Sequence, residues 1–160
     1  MAEKLELLKE LLNIDIDAVK AMAAADDEDG KGARKMARAT YDFAVDGGAI
    51  GDIETGVYLP DNAIITRAWT DVVTTCTSAT DAATIGIEIG STDLQAAVAI
   101  SAGGNRWDAG LADCATKGDD PGDPSTFVKL TAQSQIIFDI AVEAVTAGKF
   151  VLFVEYVVGA

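Results

Sequence analysis

The stretch GVYLPDNAIITRAWTDVVTTCTSATDAATIGIEIG, Gly56–Gly90, is written in the two-residue period of a β-strand. Val57 and Leu59, continuing Ile53 and Thr55, recur at every second position until Pro60, Asp61 and Asn62 turn the chain. Ile64–Thr75 then reads as a longer strand with Trp69 near its middle. Ile85, Ile87 and Ile89 alternate strictly with Gly86 and Glu88, which gives one apolar and one polar face. The Thr, Val and Ile content suits a pleated, half-buried surface. No helical period separates these runs, so the strands are joined by short connections and a parallel α/β arrangement is excluded.

The alternation extends outward in both directions. Upstream, Tyr41, Phe43 and Val45 point one way and predict a strand. Downstream, Gln95–Ser101 predicts another, Gly103, Gly104 and Asn105 a turn, and Arg106–Ala112 a segment pairing back across it. KGDDPGDPS, Lys117–Ser125, holds no regular element because its prolines remove donors and its glycine adds freedom. Three final strands are expected at Phe127–Thr131, Gln135–Val142 and Lys149–Val158, with Ala147, Gly148 and Lys149 as the last turn. Some eight short strands with turn signals between them predict a mainly β protein, an antiparallel β-sandwich. Strand number favours a jelly-roll-like arrangement, and the spacing leaves an immunoglobulin-like order open.

The N-terminus obeys a different period. Leu5, Leu8, Leu12, Val19 and Met22 recur at three- and four-residue steps, and Leu7, Leu11 and Ile16 widen the stripe, which predicts a short helical arm. Asn13 and Asp15 interrupt it, so one bent helix competes with two short ones, the second capped by Asp15. Short helices are marginal in water, so the stripe needs a partner, either its own body or a neighbouring subunit. Leu5, Leu8, Leu12, Ile16, Val19 and Met22 are the expected partner-binding residues. DDEDGKGARK, Asp26–Lys35, has the composition of a flexible connection. The expected division is therefore an arm and linker at residues 1–38 and a sandwich domain at residues 39–160. Lys31, Arg34, Lys35 and Arg38 form a basic cluster, read either as a solvated linker face or as an electrostatic contact for an acidic partner.

Composition narrows the function. The 160 residues, 49% hydrophobic, suffice for one domain with an appendage. With 12 Lys and Arg against 26 Asp and Glu the net charge is −14, which disfavours non-specific attraction to nucleic acid. After Thr40 only Arg67, Arg106, Lys117, Lys129 and Lys149 are cationic. The absence of histidine removes Ser-His-Asp and Cys-His mechanisms and His-bearing zinc sites. The carboxylates are scattered over turns and polar strand faces, none is nominated as catalytic, and the expectation is a non-enzyme without a cofactor. GGNRWDAG, Gly103–Gly110, and AVDGGAIG, Ala44–Gly51, lack the helix and the Lys-Ser pair of a nucleotide loop. Asp119, Asp120 and Asp123 are a candidate Ca²⁺ set, though outside EF-hand spacing. Cys76 and Cys114 sit in no metal-spaced pair and read as buried free thiols rather than a disulfide. Acids among the N-terminal leucines break any secretory signal, and no apolar run reaches the roughly 20 residues that span a bilayer, so no membrane partner is expected.

Gly56–Gly90 and the closing AGKFVLFVEYVVG, Ala147–Gly159, together about a third of the chain, resemble small structural proteins of tailed-phage virions, particularly head decoration or cement proteins. A strand ending at a Pro-Asp-Asn turn leads into a long strand, a Ser/Thr-rich connection and an alternating Ile strand, as in those proteins. The resemblance implies a virion component assembled in the host cytoplasm. It would be a symmetric homo-oligomer, often a trimer, bound to the major capsid protein on the outer face of the head and adding to its stability. The alternative is a carbohydrate-binding β-sandwich module of a fibre or adhesin, suggested by Trp69, Trp107 and the acidic loops.

Overall fold

A computed structural model describes residues 33–101, 105–114 and 123–159. The leucine-striped residues Leu5 to Met22, Lys31, Asp119 and Asp120 lie outside the described residues.

The described residues form nine strands: β1 (Lys35–Asp42), β2 (Gly51–Leu59), β3 (Ala63–Ser78), β4 (Thr84–Ile89), β5 (Thr92–Ala99), β6 (Gly110–Asp113), β7 (Val128–Lys129), β8 (Ser134–Ala141) and β9 (Val145–Val158). A single helical turn, α1 (Phe43–Asp46), and a 3₁₀ turn at Pro124–Thr126 complete them. Two antiparallel sheets result. One runs β1-β9-β3-β6, with β7 also on β3, and the other runs β2-β8-β4-β5. The pairings nest: β4 with β5, β3 with β6, β2 with β8 and β1 with β9. The chain is thus one long antiparallel ribbon, and its successive pairs fall alternately into the two sheets. The two sheets make an antiparallel β-sandwich.

The core lies where the two inner faces meet. Ile136, Phe138 and Ile140 of β8 and Ile85, Ile87 and Ile89 of β4 face Ala39 and Tyr41 of β1 and Phe150, Leu152 and Val154 of β9. Phe150 is its centre, with ring centroids 5.1 Å from Tyr41, 5.0 Å from Trp107 and 4.9 Å from Phe138 of the opposite sheet. Trp107 is fully buried and its Nε1 donates to the Val98 carbonyl at 3.2 Å, which settles the polar end of a large apolar ring. Cys76 and Cys114 are both buried and unpaired.

Four expectations are corrected. The Tyr41-Phe43-Val45 alternation stops after Asp42, because the Asp42 carboxylate accepts from the Ala44 amide and caps α1, leaving Val45 exposed. Arg106–Ala112 does not pair back on Gln95–Ser101. Trp107 is drawn into the core, its carbonyl accepts from the Cys76 amide at 3.0 Å, and the chain crosses to pair as β6 with β3. The Phe127–Thr131 strand contracts to two paired residues. Ala147–Lys149 is not a turn but part of β9. Gly148 lies there at φ +147° where the register against β3 shifts, and a Cβ on it would come within 2.6 Å of the Cys76 sulfur. The actual turn is Val142–Ala144. In addition, β1 begins at Lys35, so Lys35 and Arg38 belong to a strand rather than to a linker.

Candidate functional site

Alternation along β1, β9, β3 and β6 leaves a second face of that sheet pointing away from the core. Three rows cross it. Arg38 of β1, Phe153 of β9, Trp69 of β3 and Asp113 of β6 stand side by side in register. Met36, Glu155 and Arg67 form the row on one side; Thr40, Val151, Asp71 and Leu111 form the row on the other. Trp69 and Phe153 are half-buried and stacked, with centroids 5.5 Å apart and planes 14° from parallel. Leu111 is 77% exposed and Met36 52% exposed, a high degree for apolar side chains on one face.

The charges are arranged around this aromatic pair. The Arg67 guanidinium lies 5.1 Å from the Trp69 ring centroid and donates to Asp113 Oδ1 at 3.0 Å, so a carboxylate and a π-face orient it together. Arg34 donates to Glu155 Oε1 at 3.3 Å. Arg67, Trp69, Leu111, Ala112 and Asp113 line an open hollow of about 340 Å³. Of the basic cluster, Arg38 thus stands in the Trp69 row and Arg34 reaches Glu155 in the neighbouring one, whereas Lys35, opposite Tyr156, has the alternate parity. Phe153 and Leu111 complete the surface and carry no sequence signal of their own.

Beneath β6, Arg106 ties the two sheets. Its Nη1 donates to Gln95 Oε1 and to the Asp113 carbonyl, and its Nη2 donates to Thr70 Oγ1 at 3.3 Å. Its guanidinium also lies 5.2 Å from the Trp107 ring centroid. Burial lowers its pKa, and the neighbouring Cys114 works in the opposite direction. Burial pushes the Cys76 thiol up to about 12 and the Cys114 thiol to about 11, so both stay protonated near neutrality and neither is poised as a nucleophile.

The outer face of the β2-β8-β4-β5 sheet is different in kind. Asp52 pairs with Asp139, and Glu54, Glu88 and Asp93 share the next row through Ile137. These four strands contain five acids and no Lys or Arg, whereas the strands of the other sheet balance Lys35, Arg38, Arg67, Lys129 and Lys149 against Asp42, Asp71, Asp113 and Glu155. Burial raises the Glu88 pKa, and the charges of Asp93, Asp139 and Asp52 add to the effect, which is the signature of crowded carboxylates.

The remaining candidates are quickly placed. Asp123 accepts from the Ser125 amide at 2.9 Å and caps the 3₁₀ turn. Among the described residues no group of three or more His, Cys, Asp or Glu is placed to hold a metal, and no helix is long and apolar enough to cross a membrane.

No protein-family model matches the chain, and no curated protein does. Solved structures do. A chain in the acid-stable capsid structure of Helicobacter pylori bacteriophage KHP30 superposes with a TM-score of 0.57 at 14% identity, covering 81% of this chain and 91% of that one. A chain in the capsid of Ralstonia phage GP4 gives 0.54 at 19%, and one in the cyanophage Pam1 capsid asymmetric unit gives 0.57 at 17%, each covering 81% of this chain and 87% of the other. The fold is one found in phage capsids. Since 81% of 160 residues fills 87–91% of each of those chains, each is itself a small protein of about 140–150 residues.

Proposed function

We propose that this chain is a non-enzymatic structural protein of a tailed-phage virion, a head decoration or cement protein that oligomerises and stabilises the head surface. The observation that carries this reading is the fold likeness over almost the whole length of three small chains, all of them in phage capsid structures. The length of those chains supports an accessory subunit rather than a domain of a large one. The major capsid protein and sister subunits are the proposed partners, with a trimer as the oligomer. The leucine stripe of residues 5–22 is a proposed contact to one or the other.

The test is direct. Virions of the encoding phage contain the chain in stoichiometric amount by mass spectrometry, and heads assembled without it bind the purified protein saturably and gain heat resistance. Virions that lack the chain, or heads that ignore it, remove the reading.

The carbohydrate-binding alternative now rests on Trp69, since Trp107 is buried. The Trp69 ring is already engaged by Phe153 and Arg67, which leaves little bare aromatic face for a sugar. A glycan array probed with and without Ca²⁺ separates the two readings.

A further inference from the structure

The central row of the β1-β9-β3-β6 face reads the same from either end once the charges are exchanged. It runs Arg38, Phe153, Trp69, Asp113: a cation, two aromatic rings and an anion. In the next row Glu155 and Arg67 stand on either side of the same midline, which runs between β9 and β3. A second copy turned over about a two-fold axis along that midline sets every position of a row against its mirror position. Arg38 then meets Asp113 of the second copy, Phe153 meets its Trp69 and Glu155 meets its Arg67, and each contact is made twice. In the third row Thr40 falls over Leu111 of the second copy. The one mismatch is Asp71 over Val151, and Val151 is only 5% exposed, so little apolar surface is lost there.

We infer that this face pairs with the same face of a second copy of the chain in an isologous two-fold contact. Charge decides where copies can approach. The chain carries −14 overall, and the outer face of the β2-β8-β4-β5 sheet has five carboxylates with no cation on its strands, so copies repel each other there. On the β1-β9-β3-β6 face Arg38, Arg67 and Lys149 offset most of Asp42, Asp71, Asp113 and Glu155, and repulsion is least. Shape agrees with charge. The hollow lined by Arg67, Trp69, Leu111, Ala112 and Asp113 lies on the β3-β6 half of the face, and the two-fold axis brings Arg38 and Phe153, from the β1-β9 half of the second copy, over it. The Arg67–Asp113 pair need not break, because Asp113 keeps an oxygen and further lone pairs for the incoming guanidinium. Facing sheets cross at about 30°, so the central row holds its register best. Strands about 4.8 Å apart and rows about 7 Å apart give roughly 500 Å² on each copy, the lower end for a specific interface. Such a contact joins one oligomer to the next, whereas the ring of a trimer uses head-to-tail surfaces. The inference goes beyond the virion reading and does not depend on it.

The experiment follows the purified full-length protein by sedimentation velocity between about 1 and 200 μM, the range in which an interface of this size associates. The wild type shows a concentration-dependent association step. Arg38→Asp and Asp113→Arg each weaken that step at least tenfold, since each sets like charges against one another twice. An equimolar mixture of the two variants recovers it, because in a mixed pair both facing positions again carry opposite charges. Glu54→Lys, on the other sheet, associates as the wild type does. Near-ultraviolet circular dichroism from the buried Trp107 reports that each variant is folded, and if Asp113→Arg loses that signal, Arg38→Asp alone decides. Three results overturn the inference: a wild type without the step, single variants that associate as tightly as the wild type, or a mixture that associates no better than its components. Heads play no part in the measurement, so a failure here leaves the virion reading standing, and heads that ignore the protein leave this contact standing.

Discussion

Two adjacent residues in the β8–β9 turn act on stability in opposite ways. The Glu143 carboxylate accepts from Ser78 Oγ, from the amide and hydroxyl of Thr80, and from the Ala82 amide, clasping the connection between β3 and β4. These donors, the Ser78 hydroxyl foremost, lower its pKa from 4.5 to about 2. A depressed carboxylate pKa stabilises the fold fully above the unfolded value near 4.5, and that stability is lost as pH falls through about 2. Glu143→Gln therefore lowers Tm at pH 7, and the deficit closes as the pH approaches 2. Thermal unfolding across that range checks it, and a deficit that stays constant to pH 2 contradicts an ionic clasp. Beside it, Val142 holds φ at +69° while 70% exposed, a left-handed conformation that its branched side chain opposes and that no burial offsets. Val142→Asn is expected to stabilise the protein by about 1 kcal/mol, a rise of roughly 2–6 °C in Tm. No rise, or a fall, would show that the valine makes a compensating contact.

At the scale of single strands, legibility followed burial. β2, β4 and β8 have one buried and one solvated face, so Ile53 to Leu59, Ile85 to Ile89 and Ile136 to Ile140 announce themselves by alternation. β9 does not, because its outward residues Val151, Phe153 and Val157 are as apolar as its inward Phe150, Leu152 and Val154, and a continuous apolar run conceals which side faces out. Its beginning was hidden by Gly148, which reads as a turn but serves a bulge against Cys76. The real turn at Val142 carries none of the Gly, Pro or Asn that would mark one. The candidate face was legible only in pieces: Trp69 and the basic cluster stand out in sequence, but only the pairing of β3 with β9 and β6 brings Phe153 and Leu111 to them. The acidic sheet makes its own prediction. Burial, with the neighbouring carboxylates adding to it, raises the Glu88 pKa, so the folded state carries a penalty at neutral pH that disappears once Glu88 is protonated. Glu88→Gln should stabilise by about 0.2–1 kcal/mol at pH 7 and by nothing below about pH 4. Denaturant midpoints at the two pH values decide it, and a gain that persists in acid would point to hydrogen bonding rather than repulsion.

For the molecule as a whole, the nested ribbon makes β1 its outermost leaf. It pairs with β9 along its entire length, from Lys35 opposite Tyr156 to Asp42 opposite Lys149. It also delivers Ala39 and Tyr41 to the core, where the Tyr41 ring lies 5.1 Å from Phe150. Losing a buried aromatic alone costs about 3–5 kcal/mol, against a total stability on the order of 5–15 kcal/mol for an ordinary domain. Deleting β1 would also bare the backbone edge of β9, a template for aggregation. Two N-terminal truncations should consequently behave in opposite ways. Removal of residues 1–42 yields insoluble or unfolded protein. Removal of residues 1–25 touches none of the strand pairings described and is expected to leave the buried Trp107 signal in near-ultraviolet circular dichroism intact, while weakening association with sister subunits or heads. Leu8→Asp with Leu12→Asp should reproduce that second phenotype in the full-length chain, since charges forced onto a buried stripe oppose its docking. If the 1–25 truncation loses the Trp107 signal, the striped segment belongs to the core of the domain. If it keeps both the signal and full head binding, the stripe has no part in assembly.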